Sequence, residues 1–175
     1  SACHALGISF ETVERIDAPW VDLDSSASFL EIERQCLTAN KRRQITRAKK
    51  YYEEKYGPIT VTISPPLTDQ PSWQELSRLH TVYWKARDQP GSFNPAWTDF
   101  HSRMWQRTDD RFQPSLVKIQ AGSHLVGIIY SLVLDGVVNQ IQSGFNYAGE
   151  ANIAKPGYLC HWLATEQYFN KGCTA

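Results

Sequence analysis

The 175-residue chain reads as a mixed α/β domain, with a mostly antiparallel sheet and helices on both faces. Three stretches predict this. Residues 125–134 and 137–147 are strand-like runs joined by Asp135-Gly136, the dipeptide of a tight hairpin turn. Residues 59–63 are a strand, β-branched at every position, followed by two helical patterns before the hairpin. One more helical pattern follows the hairpin, so helices flank the strands in chain order.

The two arms of the hairpin differ. The first carries no charge and no proline, so both of its faces should be covered. The second alternates. Val137, Asn139, Ile141, Ser143, Phe145 and Tyr147 fall on one side; Val138, Gln140, Gln142, Gly144 and Asn146 fall on the other. Its amide face meets either water or a polar cleft, and in the second case Gln140 and Gln142 touch the substrate.

The remaining elements follow in order. Residues 7–13 suggest an edge strand. The segment 24–27 suggests the start of a helix whose apolar positions Phe29, Ile32, Cys36 and Leu37 repeat at helical spacing, ending near residues 38–40. A basic helix follows over 41–56 and stops at Gly57-Pro58. Ser72 with Glu75 three residues later predicts a capping box for a helix running to about Arg87. A second helix spans 97–106, a strand 115–119, and a last helix 158–170. Cys173-Thr-Ala175 resembles the first residues of a further strand. The expected organisation is one domain over 1–175, with a basic helical segment at 22–56 and a sheet core at 57–175.

Composition narrows the function. The formal net charge is zero, so overall charge gives no drive toward nucleic acid, yet seven of the eighteen basic residues lie between Lys41 and Lys55. Arg43 and Arg47 share a helix face and suit one phosphate of a cofactor or an RNA; the alternative is a solvated face. The four cysteines stand at positions 3, 36, 160 and 173, in no zinc spacing, and read as free thiols of a reducing, cytoplasmic compartment. No metal site is expected, no stretch is long and apolar enough for a membrane span, and no nucleotide-binding glycine loop occurs.

Candidate side chains are few. His80, one turn before Trp84, is either a satisfied structural group or a base. Glu166 borders the apolar face of the last helix, where burial would raise a carboxyl pKa. Tyr147, at the end of the hairpin, joins them as a catalytic candidate. His161 beside Cys160 makes a poor nucleophile–base pair, because adjacent helical residues diverge. Trp84 and Phe93 suit stacking on a sugar, or a core. Pro156-Gly157 is the strongest ligand feature: proline fits a first helical turn, and glycine lets an anion approach the free amides there.

Several stretches together resemble a known family. Asn40-Lys-Arg-Arg-Gln-Ile-Thr-Arg-Ala-Lys49 resembles the RRxIRRA helix of the CelD-like (cellulose-biosynthesis-associated) acyltransferases. Leu79-His80 with Trp84, Pro90-Gly-Ser-Phe93 and Phe100-His101 resemble their LHxxxW…GxF…F stretch, and Lys155-Pro-Gly-Tyr-Leu159 their SPGxxL helix start. The similarity covers about residues 22–173. It implies a GNAT-like fold related to the Fem-type peptidyltransferases, with a sheet incomplete at the C-terminus that a homodimer or domain swap would complete. It implies acyl-CoA or acetyl-CoA as co-substrate, a small-molecule amine as acceptor, or an aminoacyl-tRNA as donor in the Fem-like case, or a non-catalytic module of polysaccharide assembly. The donor phosphates would meet Lys155, Pro156, Gly157 and Tyr158, with Arg43 and Arg47 assisting. Such chemistry requires a neutral amine held against a carbonyl and an amide for the oxyanion, so the lack of a triad does not exclude it.

Overall fold

The computed structural model describes residues 20–24, 28–147 and 154–175. The elements are α1 (Phe29–Cys36), α2 (Ala39–Tyr56), β1 (Ile59–Ser64), α3 (Gln70–Lys85), α4 (Pro95–Trp105), β2 (Phe112–Ala121), β3 (His124–Leu134), β4 (Val137–Phe145) and α5 (Pro156–Asn170). The strands form a four-stranded sheet in the order β1-β2-β3-β4, antiparallel throughout. This matches the predicted class. The strand expected at residues 7–13 lies outside the described residues.

Local chemistry sets the helix ends. Ser28 and Glu31 form the capping box of α1. The sequence placed the end of α1 at residues 38–40, but the helix stops at Cys36 because the Thr38 hydroxyl accepts from the Lys41 amide and starts α2 instead. Gly57, at φ 106°, ends α2 in a conformation side chains resist. The cap of α3 also differs from expectation. Asp69, not Ser72, takes the role, accepting from the Ser72 amide at 3.2 Å, while Glu75 grips Arg78 at 2.6 and 2.7 Å. The Ser64 hydroxyl donates to Asp69 at 2.7 Å, which holds the carboxylate in place for that bond. Asp135 and Gly136 both have positive φ, as the tight turn between β3 and β4 requires.

Two apolar layers clamp the sheet. On one side Ala48 and Tyr52 of α2, Ile32 of α1, and Leu159, Cys160 and Leu163 of α5 pack with Val117, Ile119 and Ile129. On the other side Trp73 and Leu76 of α3 and Trp105 of α4 pack with Leu116, Ile128 and Tyr130. β3 is buried along most of its length, as its apolar run predicts. At β4 the alternation breaks. Tyr130 pairs with Gln142 and Ser131 with Gln140, leaving Ile141 as an extra residue. The bulge sends Ile141 into the tryptophan layer. It also overturns the expectation that Gln140 and Gln142 share a face: Gln140 meets His161 of α5, whereas Gln142 donates to Ser92, ahead of α4.

Past α5, the Thr174 amide donates to Gly136 O at 2.9 Å and the Val138 amide to Ala175 O at 2.7 Å, so the chain runs beside the start of β4. The Leu23 amide meets Thr174 O from the other side. Among the described residues, no helix is long and apolar enough to cross a membrane.

Candidate active site

The front of α5 lies beside the end of β4. Pro156 occupies the first turn, and Lys155 ahead of it is left-handed, at φ 37° and ψ 51°. The first bond of the helix runs from the Leu159 amide to Lys155 O. Among the described residues no side chain caps this end, and the amides of Gly157 and Tyr158 precede the first helical bond. A Cβ on Gly157 would stand 3.4 Å from the Phe145 ring and 3.7 Å from the Tyr147 hydroxyl; the glycine keeps that slot open. Lys155 and Gly157 are half-buried and Tyr158 is exposed, so the helix end is accessible.

Positive charge surrounds this end. Lys41 of α2 places its Nζ 3.8 Å from the Tyr158 ring centroid. Its hydrogen bond and charge, with Lys155 adding to them, hold the Tyr158 phenol below its ordinary pKa. Burial pushes the Tyr147 phenol up, the neighbouring Tyr83 adds to this, and Arg87 opposes it. Tyr147 stacks on Tyr83 at 5.0 Å, and Arg87 lies over the far ring at 3.6 Å.

β4 supplies the opposite wall. The Asn146 amide turns inward to Val126 O, so in an extended strand the Phe145 amide turns toward the outer edge. Below it lies a cleft of about 630 Å³ between β4 and α5, lined by Asn139, Gln140, His161, Thr165, Tyr168 and Trp20 among others. His161 Nδ1 contacts Gln140 Oε1, and its ring meets Phe145 edge-on at 5.3 Å. One edge of the ring reaches solvent, yet the walls of the cleft remove enough water to lower its pKa. A chain of contacts thus runs from Gly157 through Phe145 to His161 and Gln140.

The other predicted residues lie elsewhere. His80 is buried, and both of its nitrogens are committed: Nδ1 donates to Ser143 O at 3.2 Å, and Nε2 accepts from the Ser92 amide at 3.2 Å. A carbonyl can only accept and an amide can only donate, so the neutral tautomer is fixed and no lone pair is left for a base. Burial lowers its pKa further. Phe93 packs against Trp73 and Trp97 in the core, while Trp84 stays at the rim beside His80. Glu166 is half-buried on α5 and is not among the residues lining the cleft. Arg43 and Arg47 line a shallow hollow with Ala39, Thr46 and Lys50. That face lies opposite the Ala48–Tyr52 side of α2, so these arginines point away from the front of α5. Lys41 is the α2 cation that reaches it.

Sequence reasoning did not single out Lys41, and it weighed His161 only as a partner for Cys160. The signal for Lys41 was its place in the Ile45, Ala48, Tyr52 stripe, which turns it inward. For His161 it was the spacing of four from Gly157, which places both on one side of α5.

The family model for the acetyltransferase (GNAT) domain matches residues 39–175. No curated protein matches the chain.

Proposed function

The chain belongs to the GNAT acetyltransferase domain family, and from that premise we propose that it is an N-acyltransferase of the CelD-like kind, moving an acyl group from a CoA thioester to the amine of a small metabolite, amino sugar or cell-envelope precursor. The observation that carries this reading is the uncapped front of α5, open beside the end of β4. Free amides at a helix start attract phosphate. Lys41 and Lys155 add positive charge at this end. Gly157 leaves room for close approach. The outward amide of Phe145 is the group assigned to the developing oxyanion, where one well-placed donor contributes about 3 kcal/mol. When bound, the thioester supplies the activated carbonyl; the protein supplies position and charge.

Calorimetry with acetyl-CoA tests the reading. Binding in the micromolar range, weakened at least tenfold by Lys41→Ala together with Lys155→Ala, is the expected result. Absence of binding overturns it.

The outward basic face of α2 supports a second reading, an aminoacyl-tRNA-dependent Fem-like transfer. Its mark is tRNA binding that weakens steeply with salt and is lost in Arg43→Ala with Arg47→Ala. A protein that binds neither probe fits a non-catalytic module.

A further inference from the structure

The cleft between β4 and α5 is lined by Asn139, Gln140, His161, Thr165 and Tyr168 with apolar neighbours. Among the described residues its polar side chains are amides, hydroxyls and one imidazole, and none of these carries a carboxylate, ammonium or guanidinium charge. Two of the hydroxyls are already engaged: Tyr168 shares a hydrogen bond with Ser115 at 2.8 Å, and Thr165 donates to His161 O at 2.9 Å. The groups left to meet a ligand are Asn139, the NH2 end of Gln140 and the outer nitrogen of His161. Trp20 stands at the mouth, 74% exposed, as a flat aromatic surface.

His161 is set up differently from the buried imidazoles. His80 has both nitrogens occupied by backbone groups. His101 faces the Tyr130 hydroxyl at 3.0 Å inside the core. His161 gives only Nδ1 to the protein, through the amide oxygen of Gln140. An amide oxygen can only accept, so the proton sits on Nδ1 and the lone pair on Nε2. This is the arrangement in which one group orients an imidazole so that its other nitrogen can act as a base.

We propose that this cleft seats the acceptor, that the acceptor is an uncharged, hydroxyl-rich primary amine of the amino-sugar class, and that His161, oriented by Gln140, is the base that takes the proton from its nitrogen. The inference rests on the acyl-transfer reading above. The amine nitrogen bonds to the acyl carbon and loses a proton to Nε2. The carbon–sulfur bond breaks, and sulfur leaves with the electron pair. The imidazolium then returns its proton to that sulfur, so the products are an amide and a free thiol, and His161 ends neutral. The described side chains favour hydroxyls over the cationic chains of lysine or a polyamine, because none of them offers a second ammonium a counter-charge. Trp20 offers its face to the apolar side of a sugar ring. Phe145, between His161 and Gly157, joins the acceptor cleft to the donor end of α5.

The test has two independent readouts. Thiol release from acetyl-CoA is followed with water, glucosamine, lysine or spermidine as acceptor, and acetyl-CoA affinity is measured by calorimetry. His161→Gln should lose at least 100-fold in rate with glucosamine and keep its acetyl-CoA affinity within twofold. Free imidazole should partly restore His161→Ala, a rescue that a merely structural role does not give. Nitrogen NMR of the resting protein should show His161 as the Nδ1–H tautomer, and Gln140→Leu should convert it to a mixture. Glucosamine should exceed lysine and spermidine at least tenfold in kcat/KM. Equal use of lysine or spermidine overturns the acceptor class. An unchanged rate in His161→Gln, or the opposite tautomer in the wild type, overturns the base. A wild type that binds acetyl-CoA but accelerates no release overturns this inference and leaves the donor reading standing. No acetyl-CoA binding removes both.

Discussion

His80 turns its two ring nitrogens into two fixed links, one to β4 and one to the loop ahead of α4. Removing the ring leaves a carbonyl and an amide without these partners in a crowded place. His80→Ala should therefore cost about 3 kcal/mol, measured by urea unfolding. A loss below about 0.5 kcal/mol would mean that water replaces the ring without penalty. Gly157 makes the opposite case. An alanine there meets only ordinary contacts, with the nearest atom 3.4 Å away, so the fold should tolerate it. The methyl group would occupy the slot beside Phe145, and acetyl-CoA affinity should fall about tenfold while the melting temperature barely moves. At this scale the sequence told where histidines and glycines lie but not what they touch. His80 stood out because of its neighbour Trp84, yet its partners Ser143 and Ser92 are distant in the chain or across a loop. His161 stood out only as a neighbour of Cys160, because the Gln140 that orients it lies on another element.

Among the elements, most were legible. Gly57-Pro58, Asp135-Gly136 and Pro156 each mark a boundary through backbone chemistry alone, and the boundaries fall there. The bulge in β4 was not legible, because an inserted residue leaves a strand's polar–apolar alternation looking intact while turning everything past it over. The caps were ambiguous for a related reason: Asp69, Ser72, Thr38 and the residues after Asp24 are all good helix starters, and only the packed chain selects among them. Gly144 shows how tightly α3 sits on β4. A Cβ there would lie 2.8 Å from Leu76 O and 2.9 Å from the Leu79 Cβ. Gly144→Ala should force the helix off the strand and cost about 2 kcal/mol, seen in urea or thermal melts. The helix α2 should behave as two separate faces. Arg43→Ala with Arg47→Ala should leave acetyl-CoA binding within twofold of wild type, whereas Lys41→Ala should weaken it several-fold. Equal effects from the two would show that both faces serve the donor.

Across the whole molecule, burial lowers the pKa of four histidines: His80, His101, His124 and His161. The unfolded chain takes up protons near the ordinary value of about 6.5, while the folded chain resists until lower pH. Between those limits the unfolded state binds more protons, so stability is full above about pH 7 and falls as the pH drops below about 6.5. Carboxylates held low by partners, such as Asp69 and Glu75, act only in a more acidic range. Thermal melts should therefore decline between pH 7 and 5; a flat profile would show that these rings protonate freely in place. The tryptophans divide unevenly between the two sides of the sheet. Trp73, Trp84, Trp97 and Trp105 belong to α3 and α4, while Trp162 stands on α5 and Trp20 at the cleft beside it. Intrinsic fluorescence therefore reports mainly on the α3–α4 side, and circular dichroism reports on both. If the two signals are lost at the same temperature, the halves let go as one cooperative unit; an earlier loss of emission would identify the indole-rich half as the one that loosens first.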